Sequence, residues 1–126
     1  MKKDELRIGN NTKQGKVIEL RENSARIEYF TTHKRTSLIF YSSLEPIELT
    51  PDIMKKIKGI KQKEGSLGLY YYIEPFSVLR FFFDGTQLVI IKKENGNIWI
   101  ANKKYLHEFQ NLYFALTNEE LEIDLG

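Results

Sequence analysis

The sequence predicts an α+β fold: an N-terminal small β-barrel of the SH3-like kind, a short helix, an antiparallel β-meander and a C-terminal amphipathic helix. Three observations lead there. Short segments of alternating apolar and charged residues recur about every eight to twelve positions through the first half, with turn-rich gaps between them. Two hairpin signals, Asp84-Gly85 and Glu94-Asn95-Gly96, punctuate a second series of strand-like segments. Residues 105–121 then carry apolar side chains at helical spacing.

Taken in order, the first strands are Gly15 to Leu20, Ala25 to Tyr29, Ser37 to Tyr41 and Leu44 to Leu49. Val17, Ile27 and Tyr29 alternate with Glu and Arg, so these strands are half buried. Thr50 is a helix N-cap with Pro51 at the first helical position; Ile53, Met54 and Ile57 form a short apolar stripe that Gly59 ends. A lysine run follows and leads into Gly65-Ser66-Leu67-Gly68, which reads as a mobile boundary between two halves. At 126 residues the length fits a single domain, with subdomains at 1–64 and 65–126.

The second half opens on aromatics. Tyr70, Tyr71, Tyr72, Phe76, Phe81, Phe82 and Phe83 make up seven of the sixteen in the chain, a density that suggests a sheet covered on both faces for part of its length. Leu67 to Ile73, Ser77 to Phe83, Thr86 to Lys92 and Asn97 to Ala101 read as four strands. In the final helix Tyr105, Leu106, Phe109, Leu112, Tyr113 and Leu116 fall within an arc of about 120°, the width of a face laid on a core. Asn102 is its expected N-cap, and Thr117-x-x-Glu120 reads as a capping box that begins a further turn.

Charge is unevenly distributed. The net value is +2, yet residues 1–104 hold all 19 Lys and Arg against 12 Asp and Glu, while residues 105–126 hold five acids and no base. There is no cysteine, which excludes disulfides and thiolate metal sites. The opening MKKDELRIGN has no apolar stretch of the signal-peptide kind, and no run approaches the length of a membrane span. A cytoplasmic location is expected.

Catalytic patterns are missing. His33 and His107 lie on different elements and neither has a carboxylate at ligand spacing, so no metal and no cofactor is expected. The phosphate-binding and dinucleotide glycine motifs are absent, and Gly65-Ser66-Leu67-Gly68 misses the nucleophile-elbow spacing. Two binding signals are left. Lys55, Lys56, Lys58, Lys61 and Lys63 are able to track phosphates, with exposed members of Tyr70 to Tyr72 stacking on bases; a solvated lysine face is the preferred reading at this net charge. Phe114 lies opposite the apolar helix face among His107, Gln110 and Asn111, either as an aromatic anchor for a protein partner or packed against the N-terminal barrel.

The segment YLHEFQNLYFALTNEELEI (Tyr105 to Ile123) resembles the C-terminal signature of a family of small uncharacterised proteins of Bacteroidetes bacteria and their phages and prophages, which commonly end in "hHQLQNLYFALTGEEL" with h apolar. ELRIGN (Glu5 to Asn10) and LEPIELTPDIMKK (Leu44 to Lys56) resemble further parts of that family. Asn118 stands where the family usually has Gly, and Phe109 where it usually has Leu. Asn tolerates a left-handed backbone, so the turn at 118 is kept. The resemblance implies a genomic setting and no activity. The function expected is therefore a non-enzymatic interaction or accessory protein of a phage or mobile element, with an unidentified protein partner. The alternatives are a nucleic-acid-binding module on the lysine run and, last, an enzyme with no linear motif.

Overall fold

The computed structural model describes residues 1–125 other than 32, 86 and 95. It is largely β. Eight strands form a three-stranded and a five-stranded antiparallel sheet, and the one helix longer than five residues among the described residues lies near the C-terminus. The α+β expectation with its SH3-like barrel is thereby corrected: the N-terminal sheet is open. Its strands are β1 (Lys16–Leu20), β2 (Ser24–Glu28) and β3 (Thr36–Phe40), paired in that order. Residues 44–49 add no strand to it. A 3-10 turn at Tyr41–Ser43 turns the chain away, and Pro46 has no N–H for a ladder; the segment makes only isolated bridges, Thr12 to Pro46 and Glu48 to Tyr105.

The chain divides into two compact units. The first joins Met1–Glu48 to Tyr105–Glu120; the second joins Leu49–Lys104 to Leu121–Asp124. The C-terminal helix thus groups with the N-terminal sheet, whereas the sequence groups it with the meander. In the first unit Leu6, Val17, Ala25, Ile27, Tyr41 and Leu44 form an apolar cluster, with Met1, Leu20 and Ile39 against it. Gly15 lets the loop before β1 close: a Cβ there would lie 2.4 Å from the Glu28 carbonyl oxygen.

The second unit begins with helix α1 (Pro51–Lys55), where Thr50 accepts a hydrogen bond from the Ile53 N–H at 3.1 Å, as the Thr-Pro start predicts. The meander follows as β4 (Ile60–Gly65), β5 (Gly68–Ile73), β6 (Leu79–Phe83), β7 (Leu88–Lys93) and β8 (Asn97–Lys103), paired in sequence order. The expected mobile boundary is instead a tight hairpin. Gly65 pairs with Gly68 across the Ser66-Leu67 loop, so the lysine run enters a strand that the sequence reading lacks. Residues 86 and 95 are not described, so the hairpin expectations at Asp84-Gly85 and Glu94-Asn95-Gly96 lie partly outside the described residues.

Helix α2 (Leu106–Thr117) starts at Tyr105; Asn102 belongs to β8. The Glu108 carboxylate accepts from the Tyr105 N–H at 3.1 Å, fixing the first turn. No second turn grows from Thr117. Its hydroxyl donates to the Tyr113 carbonyl at 2.7 Å and accepts from the Glu119 N–H at 3.1 Å, while Asn118 is left-handed and ends the helix.

Candidate nucleic-acid interface

Helix α2 buries Leu106, His107, Phe109, Gln110 and Tyr113, while Leu116 on the expected apolar stripe is exposed. At 100° per residue the buried face is turned by about 80° toward His107 and Gln110. Polar partners cause the turn. Gln110 accepts from the Asn11 N–H at 2.9 Å and donates to the Asn11 side chain at 2.7 Å. Asn111 accepts from the Asn10 side chain at 2.7 Å and donates to the Glu5 carbonyl at 3.0 Å. The Arg7 guanidinium lies 4.2 Å from the centre of the Phe114 ring and forms a two-pronged pair with Glu120, one prong at 2.9 Å. The Arg7 hydrogen bonds are the leading cause of the lowered pKa of Glu120, with the charges of Arg7 and Lys16 adding and burial opposing.

These contacts engage the helix face proposed from sequence as a partner anchor. Gln110 and Asn111 are held by the chain's own residues 5–11, Phe114 is capped by Arg7, and His107 is buried with its ring 6.0 Å from that of Tyr105. The stretches ELRIGN and QNLYFALTNEEL, which carry the family resemblance, meet here.

The five lysines are separated. Lys55, Lys56 and Lys58 lie on α1 and the turn after it, where Lys58 pairs with Glu122 at 3.4 Å and its N–H donates to the Glu122 carbonyl at 2.8 Å. Lys61 and Lys63 lie on β4. Directly paired strand residues project to the same side of a sheet, so the register shows what these two share. Lys61 is opposite Tyr72, and Lys63 opposite Tyr70. Tyr71 pairs with Phe81, which sets Tyr72 beside Arg80 and Tyr70 beside Phe82 when continued by one residue. Arg80 pairs with Ile91 and Phe82 with Val89; Ile91 in turn faces Trp99, and Val89 faces Asn102.

Two rows therefore cross one face of the meander: Lys61, Tyr72, Arg80, Ile91, Trp99, and Lys63, Tyr70, Phe82, Val89, Asn102. A bulge between Ile90 and Ile91 puts Trp99 and Asn102 on the same face despite their three-residue spacing, and the Trp99 indole N–H donates to the Asn102 side chain at 3.2 Å. The opposite face carries the buried Tyr71, Ile73, Leu79, Phe81, Leu88 and Ile90.

The rows pack into a platform. The Tyr70 and Phe82 rings are 5.6 Å apart, the Tyr70 and Tyr72 rings 6.0 Å, and the Arg80 guanidinium is 4.4 Å from the centre of Tyr70. Gly65 makes room, since a Cβ there would lie 3.0 Å from the Tyr70 ring and 3.5 Å from Arg80. Tyr70 is buried beneath Arg80; Tyr72, Phe82 and Ile91 are half-buried, Lys61 and Lys63 exposed, and Trp99 is 62% exposed on the edge strand. Arg80 Nε is buried and has no hydrogen-bond partner. Within the strand bounds this face carries four cations, Lys61, Lys63, Arg80 and Lys93, and no Asp or Glu.

Aromatic planes flanked by cations are what a single-stranded nucleic acid requires, because bases stack on rings while phosphates seek charge. At about 4.8 Å per strand the face is roughly 19 Å across, enough for a short run of nucleotides. The sequence reading had Lys61, Lys63 and, of Tyr70 to Tyr72, only Tyr72 as a ring that is not buried; it missed Arg80, Phe82, Lys93 and Trp99. Alternation in LRFFF and the lone Trp of NIWIANK were the available signals; the bulge in β8 hid the second.

Among the described residues there is no cluster of three His, Asp or Glu fit to hold a metal ion, and no helix is long and apolar enough to cross a membrane. No family model, curated protein or solved structure matches the chain.

Proposed function

We propose that this chain is a non-enzymatic, cytoplasmic binding protein that holds single-stranded nucleic acid on the outer face of its five-stranded sheet. One observation carries the reading: the register collects Tyr72, Phe82 and Trp99 with Lys61, Lys63 and Arg80 on a face whose strands contribute no carboxylate. The modest net charge does not oppose it, because a sum over the chain says nothing of one face, and within the strand bounds this face carries no Asp or Glu. Binding of this kind is weak, salt-dependent and tolerant of sequence, since stacking and phosphate contacts read little of the base edges. The resemblance to proteins of Bacteroidetes phages and prophages supplies the setting, an accessory protein of a mobile element.

The test is fluorescence anisotropy of a labelled oligothymidylate at low salt. Binding is expected that weakens when Trp99→Ala or the double change Lys61→Gln, Lys63→Gln is introduced. No binding at low salt, or binding indifferent to all three changes, would overturn the proposal. Binding lost only with Lys55→Gln, Lys56→Gln and Lys58→Gln would move the site to the turn after α1.

A further inference from the structure

The three-stranded sheet of the first unit ends in strand edges that no further strand covers among the described residues. Strand β3 is terminal in its sheet, and its pairing with β2 fixes which backbone groups are used. The Tyr29 N–H donates to the Arg35 carbonyl at 2.9 Å and the Tyr41 N–H to the Asn23 carbonyl at 3.3 Å, so the odd-numbered residues of this stretch turn their backbone groups toward β2. Those of Thr36, Leu38 and Phe40 point to the free edge. The same three side chains lie on the outer face, with Leu38 43% and Phe40 67% exposed.

Edge strands are commonly guarded by a charge, a proline or a bulge. Thr36-Ser37-Leu38-Ile39-Phe40 has none of these, and its pairing to β2 is regular throughout. Exposure alternates evenly on either side of Leu38, with Thr36 and Phe40 both pointing outward.

We infer that β3 pairs with β3 of a second copy of this chain, antiparallel about Leu38, joining the two N-terminal sheets into one of six strands. The out-pointing residues match in that register: Leu38 faces Leu38 of the other copy, and Thr36 faces Phe40 in both directions. Every free N–H and C=O of the edge finds a partner, and the two Leu38 and two Phe40 side chains form one apolar stripe on the outer face. Lys34 and Arg35 of the two copies lie at opposite ends of the paired strands, so these like charges are kept apart.

The test uses the full chain and its lack of native cysteine. Sedimentation equilibrium is expected to show a dimer that Leu38→Lys and Phe40→Lys convert to a folded monomer, judged by unchanged circular dichroism. Register is read with a short bifunctional thiol reagent. Leu38→Cys should cross-link to itself; Thr36→Cys alone and Phe40→Cys alone should not, because their symmetric partners are roughly 13 Å away along the strands at 3.3 Å per residue. A mixture of the Thr36→Cys and Phe40→Cys proteins should cross-link. A monomer up to the solubility limit, a dimer indifferent to Leu38→Lys, or cross-linking in another register would each overturn the inference.

Discussion

Gln110 and Asn11, 99 positions apart, exchange hydrogen bonds in both directions, the side-chain oxygen of Gln110 taking the Asn11 N–H at 2.9 Å and its amide nitrogen reaching the Asn11 side chain at 2.7 Å. Both residues are buried, so neither group has water to fall back on. Replacing Gln110 by Leu keeps the volume and strands two polar groups, at about 1–3 kcal/mol each. A clear fall in the urea midpoint is expected. A Gln110→Leu protein as stable as the parent would show that the amide pair carries no weight.

Phe109 and Phe114 separate packing from capping. Phe109 is fully buried, and its truncation to Ala should cost roughly 3–5 kcal/mol. Phe114 is half-buried beneath Arg7, a contact of the kind worth about 0.5–1 kcal/mol at exposed sites, beyond the area its ring covers. Melting curves should place Phe114→Ala well above Phe109→Ala, and equal losses would refute this ranking.

The pair of Arg7 and Glu120 predicts an acid-side signature. Its hydrogen bonds hold the Glu120 carboxyl below the ordinary glutamate value, so the folded form gains stability above that value and loses it as pH falls through the lowered one. Glu120 is 46% exposed, which keeps the effect small. The stability difference between the parent and Glu120→Gln should shrink as the pH is lowered from neutrality, and a difference that grows in acid contradicts the assignment.

Gly15→Ala is expected to be among the costliest single changes in the N-terminal unit. Its φ of +149° disfavours any side chain, and the new methyl would meet the Glu28 carbonyl oxygen and the Ile27 side chain at 2.4 and 2.6 Å. Gly68→Ala has an unfavourable φ of +107° but nothing within 4 Å, so it isolates the backbone part of the cost. Thermal melts of the two variants should differ clearly, with Gly15→Ala the lower.

On the sheet face, salt dependence counts the phosphate contacts. With Lys61, Lys63 and Arg80 engaged, the slope of log affinity against log salt should be about −2, at ~0.7 per contact for a single strand. Each Lys→Gln change should flatten it by about 0.7, whereas Trp99→Ala should lower affinity by a factor set by one stacked base, about 1–3 kcal/mol, and leave the slope unchanged. Anisotropy titrations over a salt series measure both.

Local signals in the sequence were legible where backbone chemistry dictates them. Thr50-Pro51 starts a helix, Asn118 ends one, and strands β5 to β8 follow from the strand-like segments of the sequence. Errors arose where a distant partner decides. Residues 44–49 alternate like a strand, yet Pro46 and the 3-10 turn before it keep them out of the sheet, and the expected barrel opens. The buried face of α2 could not be read from apolarity, because Gln110 is drawn inward by Asn11. Net charge likewise concealed the sheet face, since a sum has no direction, and only the register separates Lys61 and Lys63 from Glu64 beside them.

The 56 residues Leu49–Lys104 lie between the two pieces of the first unit, and this orders events on the ribosome. Asn11 leaves the exit tunnel before Gln110 by 99 residues, about 5–20 s at ordinary translation rates of 5–20 residues per second. During that interval the nascent N-terminal sheet has no helix to take the amide groups of Asn10 and Asn11, while the meander is already available to fold. A chain that stops before Tyr105 therefore holds every strand of the second sheet but lacks Gln110 and Asn111, the residues that engage Asn11 and Asn10.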